Sequence, residues 1–232
     1  MENFVDDYRV LSLPYLFRDK AHQFKVLDGP IGEDLLSAGI PFWLQGLGFY
    51  DSGSRSFYTK EKPVRAPADL KGLNIRTQES PTAMAMVNVM GGSATPLSFG
   101  ELYTALQAGI VDGAENNPPS FYLTRHYEVC KFYSIDEHTS IPDVVLISTM
   151  TWNSLSELEQ SWLENAVVDS ETYQRMLWAE SEAYALQQVK AAGVEIVYPD
   201  KSLFITGVEP MYEEVKSDSL MTSYVQRIRN TE

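Results

Sequence analysis

Residues 156–193, "SELEQSWLENAVVDSETYQRMLWAESEAYALQQVKAAG", constrain the fold more than any other stretch. Leu158, Trp162, Leu163, Ala166, Val167, Tyr173, Leu177, Tyr184 and Val189 recur close to a 3.6-residue period, so the segment reads as helix. It is long for a helix of one globular domain. Either it breaks, or it spans two lobes.

The remainder alternates between strand and helix signals. Residues 11–18 are an apolar loop or short strand broken by Pro14, and residues 19–38 read as helix with Asp19 as N-cap, interrupted at Gly29-Pro30. Residues 41–60 read as two extended stretches flanking a Gly/Ser bend at 52–54. Pro67–Leu70 make a turn and Leu73–Arg76 a strand. Ser80 then caps a helix with Pro81 at its first position, and Gly91-Gly92 stop it. Ser98-Phe99-Gly100-Glu101 fits a capping box opening a short helix that ends at Gly109. Residues 110–117 read as a strand entering a loop, 119–129 as helix, 143–149 as a buried strand and 194–199 as a strand. A last amphipathic helix starts near residue 208. This alternation predicts an α/β class with mostly parallel sheets. Ligands of such sheets sit beyond the carboxyl ends of strands, where Arg76 and Asn116 fall.

Charge excludes some partners. The 232 residues carry 32 acidic and 18 basic side chains, a net charge of −14, which argues against nucleic acid and anionic membrane surfaces. A local cation can still serve an anionic small molecule. The start, "MENFVDDYRV", lacks the apolar core of a signal peptide, and no apolar run approaches the ~20 residues of a membrane span. Cys130 is the single cysteine and is expected to be a partly buried structural thiol in a helix. His22, His126 and His138 show no metal-binding spacing, so neither a metal nor a cofactor is expected.

Arg76 is the leading candidate for an anion clamp, because guanidinium presents a planar fork matching a carboxylate. The alternative is a surface salt bridge to Asp69 or Glu79. Arg55, in "DSGSRSFYT", is either a second cation near the same anion or a solvated loop arginine. Phe99 is a ligand wall or an ordinary hydrophobic anchor. Asn116 and Asn117 suit hydroxyl and carboxylate recognition or simple turn chemistry. Asp112 and Glu115 are the one carboxylate pair to weigh for acid–base work, and nothing else in the chain supports catalysis.

The order "DLKGLNIR", "SFGELYTALQAGIVDGAEN", "HYEVCKFY", "EHTSIPD" resembles the DctP-type substrate-binding proteins of TRAP transporters, from about Leu13 to Phe204. That resemblance implies a two-lobed, periplasmic-binding-protein-like α/β fold with hinge strands and a long interdomain helix, closing over an organic acid. Residues 1–52 and 141–180 would form lobe I, 53–140 and 181–207 lobe II, and 208–232 a C-terminal helix packing across the lobes. Met1 enters just before the family's L-P-(F/Y)-L-F segment, so the first lobe is expected to be incomplete. By the same resemblance Arg76 pairs the ligand carboxylate, Arg55 is the second arginine, Phe99 the aromatic wall and Asn116 the recognition amide. Glu79 is a polar contact, and "AENNPPSFY" resembles the branch associated with glucuronate and galacturonate. The implied role is a monomeric periplasmic solute-binding subunit, not an enzyme, that serves a membrane permease. The competing readings are an enzyme on organic acids using Asp112 and Glu115, a ligand sensor, and a nonfunctional remnant.

Overall fold

The computed structural model describes residues 1–232. A short 3₁₀ turn leads into α1 (Lys20–Leu27) and α2 (Pro30–Ala38), which the Gly29-Pro30 break separates. The chain continues through β1 (Leu44–Tyr50), β2 (Arg55–Thr59), β3 (Asn74–Thr77), α3 (Pro81–Val89), β4 (Ser93–Pro96), α4 (Leu102–Ala108), β5 (Gly113–Asn116) and α5 (Pro118–Leu123). It then forms β6 (Phe132–Thr139), β7 (Asp143–Ser148), α6 (Thr149–Ser154), α7 (Glu157–Ala191) and β8 (Glu195–Val197). It closes with α8 (Lys201–Gly207), α9 (Glu209–Val215) and α10 (Ser219–Asn230). No helix is long and apolar enough to cross a membrane.

The strands form two sheets. β1 pairs antiparallel with β7 alone, and the other six run in the order β4-β3-β5-β2-β6-β8. The larger sheet is mixed: three of its five pairings, β3–β4, β3–β5 and β6–β8, are parallel as expected, but β2 lies antiparallel to both β5 and β6. Strand alternation cannot reveal this, because β2 is inserted between partners that follow it by more than 50 residues.

Three apolar clusters hold the molecule together. The first joins the opening turn, α1, α2 and β1 with α10, through Leu11, Leu35, Phe49 and Ile228. The other two lie against the six-stranded sheet. One contains Tyr58, Ala114, Phe121 and Val189; the other contains Phe57, Ile75, Met86 and Phe204. Phe57 and Tyr58 are consecutive, so the period-2 alternation of β2 sends one ring to each face.

Helix α7 is continuous over 35 residues. A complete capping box starts it: Ser156 Oγ accepts from Glu159 N, and the Glu159 carboxylate accepts from Ser156 N at 2.8 Å. Along its middle, the Gln174 side chain accepts from Asp51 N (2.9 Å) and donates to Asp51 O (2.7 Å), where the chain leaves β1. Its far end buries Ala185 and Val189, the latter in the second cluster. The unbroken helix therefore runs from beside the end of β1 to the cluster on the six-stranded sheet.

Several local expectations differ from what forms. β7 has an apolar run, Val144–Ile147, yet none of it is fully buried, and Val144 alone of these packs against the first cluster. The 119–129 helix stops at Leu123. Arg125 has a φ of 60°, and a 3₁₀ turn over His126–Glu128 follows. Cys130 thus lies outside any helix, and it is fully rather than partly buried. At Ser98 the hydroxyl donates to the Glu101 carboxylate at 2.6 Å instead of accepting a backbone N–H, so α4 begins with a 3₁₀ turn over 99–101.

Candidate functional site

Arg76 occupies the third position of β3, paired with Thr95 on one side and Ala114 on the other. It is 3% exposed. Nε and Nη2 both donate to the Leu97 carbonyl, at 2.9 and 2.7 Å, in the loop after β4. Nη1 is buried and has no partner, and no ion pair forms with Asp69, Glu79 or any other carboxylate. The surface-salt-bridge alternative is therefore set aside. Burial lowers the guanidinium's pKa, and the fields of Glu115 and Tyr58 only partly oppose that. A desolvated cation with an unsatisfied donor is costly unless something anionic meets it.

The surroundings keep that cation available. Phe99 opens the 3₁₀ turn before α4 and stays 44% exposed, and the Arg76 guanidinium carbon stands 5.7 Å from its ring centroid. This is cation–π distance. The His126 ring meets Phe99 edge-on at 5.8 Å, and its Nδ1 shares a 2.9 Å hydrogen bond with the Tyr58 hydroxyl. Burial, and then the nearby Arg76 charge, lower the His126 pKa to about 4. His126 is therefore neutral at pH 7 and does not compete for an anion.

Arg55 has the opposite environment. It lies in β2, not in a solvated loop, and its side chain is 11% exposed. Nε and Nη2 grip the Glu115 carboxylate, Nη2 also donates to the Glu115 carbonyl (2.9 Å), and Nη1 donates to Asn116 Oδ1 (3.0 Å). Glu115 in turn meets His138 Nε2 at 3.4 Å, and His138 Nδ1 meets Asp136 at 2.8 Å. Burial alone would raise the Glu115 pKa, but the Arg55 charge and the His138 hydrogen bond override it and hold the carboxyl at about 2. Burial opposes charge on His138 too, yet Asp136 and Glu115 raise it to about 9. The network is two cations interleaved with two anions.

Asn116 ends β5, and its Oδ1 also accepts from Asn117 N at 2.9 Å. Its Nδ2 donates to no protein group. The Asn117 amide caps α5, accepting from Ser120 N (2.8 Å), and donates to Ser52 O (2.9 Å), so it is not free to read a ligand hydroxyl. Arg76, Phe99, Arg55 and Asn116 thus gather around the carboxyl ends of β3 and β5 and the adjoining end of β2. Glu79 does not join them. It is exposed and lines a separate cavity of about 450 Å³, together with Glu2 and Asp143.

Asp112 and Glu115 do not form an acid–base pair. Asp112 accepts from Asn74 N at 2.8 Å, and Glu115 is locked in its ion pairs. A carboxylate held near 2 is a poor proton carrier at neutral pH. His126, His138 and Asp136 carry no sequence signature, and the one available hint was the "EHTSIPD" stretch around His138.

The family described as bacterial extracellular solute-binding protein, family 7 (DctP), matches residues 1–218. A solute-binding protein of Chromohalobacter salexigens is 37% identical over 206 residues, 88% of this chain and 61% of that relative's length. A TRAP periplasmic solute binding protein from Bradyrhizobium, solved with α/β-D-galacturonate, is 44% identical with a TM-score of 0.94. The match covers 99% of this chain and 77% of that one. A second such protein, from Chromohalobacter salexigens with bound D-glucuronate, is 35% identical with a TM-score of 0.97, covering 100% and 78%. The backbone is therefore the two-lobed α/β fold of these binding proteins. Since the family match runs along nearly the whole chain and relatives agree with it in sequence and backbone, this chain belongs to the DctP family of bacterial extracellular solute-binding proteins.

Proposed function

We propose that this chain captures a uronic acid, glucuronate or galacturonate, outside the cytoplasm and delivers it unchanged to a TRAP permease in the membrane. The observation that carries this reading is the buried Nη1 of Arg76, which has no partner in the protein. A carboxylate placed there completes a charge-assisted bond in a dry setting. Asn116 Nδ2 offers a donor for a hydroxyl or carboxylate, and Phe99 offers an apolar wall for the sugar ring. Arg55 holds Asn116 and adds local positive potential that Glu115 largely balances. Glu79, on the neighbouring cavity wall, supplies a hydroxyl contact when the lobes approach. The bound uronates of the Bradyrhizobium and Chromohalobacter neighbours support the ligand class.

The lobes we assign are residues 1–52 with 141–180, and 53–140 with 181–207, with 208–232 packed across both. In support, Tyr212 packs against the first and third clusters alike, while α10 joins the first. The crossings between lobes are tied together by Ser54 and Ser140 hydroxyls 2.7 Å apart. Closure requires the ligand to bind the closed arrangement more tightly than the open one. The chain works as a monomer in the periplasm.

Calorimetric titration with glucuronate, galacturonate and succinate tests the reading. Saturable binding of one uronate, well above succinate and lost in Arg76→Ala, is expected. Equal binding by wild type and Arg76→Ala would remove the clamp.

A further inference from the structure

A second group of cationic side chains lines one cavity, away from Arg76. The chain has nine arginines among 32 acidic residues. Six are paired with a carboxylate. Three are not: Arg76, Arg18 and Arg229. The last two line one cavity of about 650 Å³.

Both side chains are positioned by neutral groups rather than by a carboxylate. Arg18 Nη1 donates to the Arg229 carbonyl (3.2 Å) and Nη2 to the Thr231 carbonyl (2.6 Å). This repeats the way the Leu97 carbonyl orients Arg76. The Arg229 guanidinium carbon lies 4.3 Å from the Tyr212 ring centroid, and the Tyr212 hydroxyl is fixed to Pro14 O at 2.7 Å. Planar guanidinium groups held this way need little further ordering to meet an oxyanion. Lys20 and Lys201 line the same cavity, against the carboxylates Asp19 and Glu137. Asp19 caps α1 through His22 N at 2.8 Å, and Glu137 pairs with Lys201. Lys20 bridges Asp51 and Glu182 at 2.9 and 2.8 Å. Arg18 and Arg229 thus remain as the two cations lining the cavity that pair with no carboxylate.

We propose that this cavity binds a compact multivalent oxyanion of the phosphate class between Arg18 and Arg229. Two guanidiniums with no carboxylate paired to them offer donors to two oxygens of such an anion at once, where one carboxylate would engage them less fully. The Ser54 and Ser140 hydroxyls, which line the cavity at the lobe crossings, supply neutral contacts. The site is distinct from the uronate clamp, since Arg76, Phe99, Asn116 and Arg55 do not line it.

The test is titration of inorganic phosphate at constant ionic strength, so that screening stays fixed. Calorimetry and thermal shift are read on wild type, Arg229→Gln and Arg76→Ala. Arg229→Gln keeps the carbonyl that Arg18 uses, and the side chain is exposed, so folding is preserved. The expected result is saturable binding with a Kd of about 1 mM or below, weakened by about 10-fold or more in Arg229→Gln and unchanged in Arg76→Ala. Glucuronate binding is expected to be equal in wild type and Arg229→Gln. Absence of saturable phosphate binding, or equal binding by Arg229→Gln, overturns the proposal. Loss of phosphate binding in Arg76→Ala also overturns it, because phosphate would then occupy the uronate clamp.

Discussion

Arg55 and Arg76 lie in one sheet, two strands apart, and both are largely withdrawn from water. Each of the three guanidinium nitrogens of Arg55 meets Glu115 or Asn116. Arg76 meets one carbonyl and leaves Nη1 empty. The difference separates a charge that holds the scaffold from a charge that awaits a partner. Removing either arginine therefore has opposite consequences.

The largest effect is expected at Arg55. Arg55→Ala leaves Glu115 charged and buried without its cation, which costs on the order of 3–5 kcal/mol of folding stability. Urea unfolding reads it, and Arg55→Ala/Glu115→Gln is expected to recover part of the loss. A single variant as stable as wild type would erase the contrast. Next comes Arg76→Ala. Uronate affinity is expected to fall by about 2–5 kcal/mol in calorimetry, with folding stability within about 1 kcal/mol of wild type, since one hydrogen-bonded carbonyl is lost while a desolvated charge is relieved. An equal loss in stability would make Arg76 structural, like Arg55.

Acidity sharpens the contrast further. His138, with a folded pKa of about 9 against an ordinary 6.5, contributes stability that is complete below pH 6.5 and is lost as pH rises through 9. Glu115, at about 2 against 4.5, contributes stability present above pH 4.5 and lost as pH falls through 2. His126, held at about 4, acts against the fold as pH falls from 6.5 toward 4, because the unfolded chain binds a proton that the folded chain refuses. Urea midpoints across pH are expected to peak near 6.5, where the contributions of His138 and His126 cross. His138→Gln is expected to flatten the alkaline side, and an unaltered descent there would contradict the ion-paired network. Smaller still, Phe99→Ala is expected to weaken uronate binding about fivefold, or ~1 kcal/mol, through the lost stacking surface. Glu79→Gln comes last, with affinity expected within about twofold of wild type; a loss matching that of Phe99→Ala would bring Glu79 into the main site.

The sequence revealed what is local. Ser80-Pro81 and Gly91-Gly92 bracket α3 by cap and stop chemistry within a dozen residues, and the 3.6-residue apolar period marks α7. Arg76 could be placed at a strand end for the same reason. What depends on distant partners was not legible. Arg55 looked like a solvated loop residue because Glu115, 60 positions away, is what buries it. His138 looked scattered because its meaning lies in Glu115, 23 positions earlier and on another strand. The antiparallel place of β2 inside an otherwise parallel set is likewise a long-range choice. Of the five residues carried over by resemblance, Glu79 is the one that stands apart from the rest.

Cys130 also bears on how motion in this molecule can be followed. Its thiol is fully buried, and burial pushes its pKa up to about 12, so the reactive thiolate is scarce at neutral pH. As the lone cysteine, it can form no internal disulfide, and folding needs neither an oxidant nor a reductant. The chain therefore offers a chemically silent background. Two cysteines introduced on the surface, one per lobe, would be the reactive thiols in the molecule, and a spectroscopic label on each would report lobe separation directly, ligand by ligand.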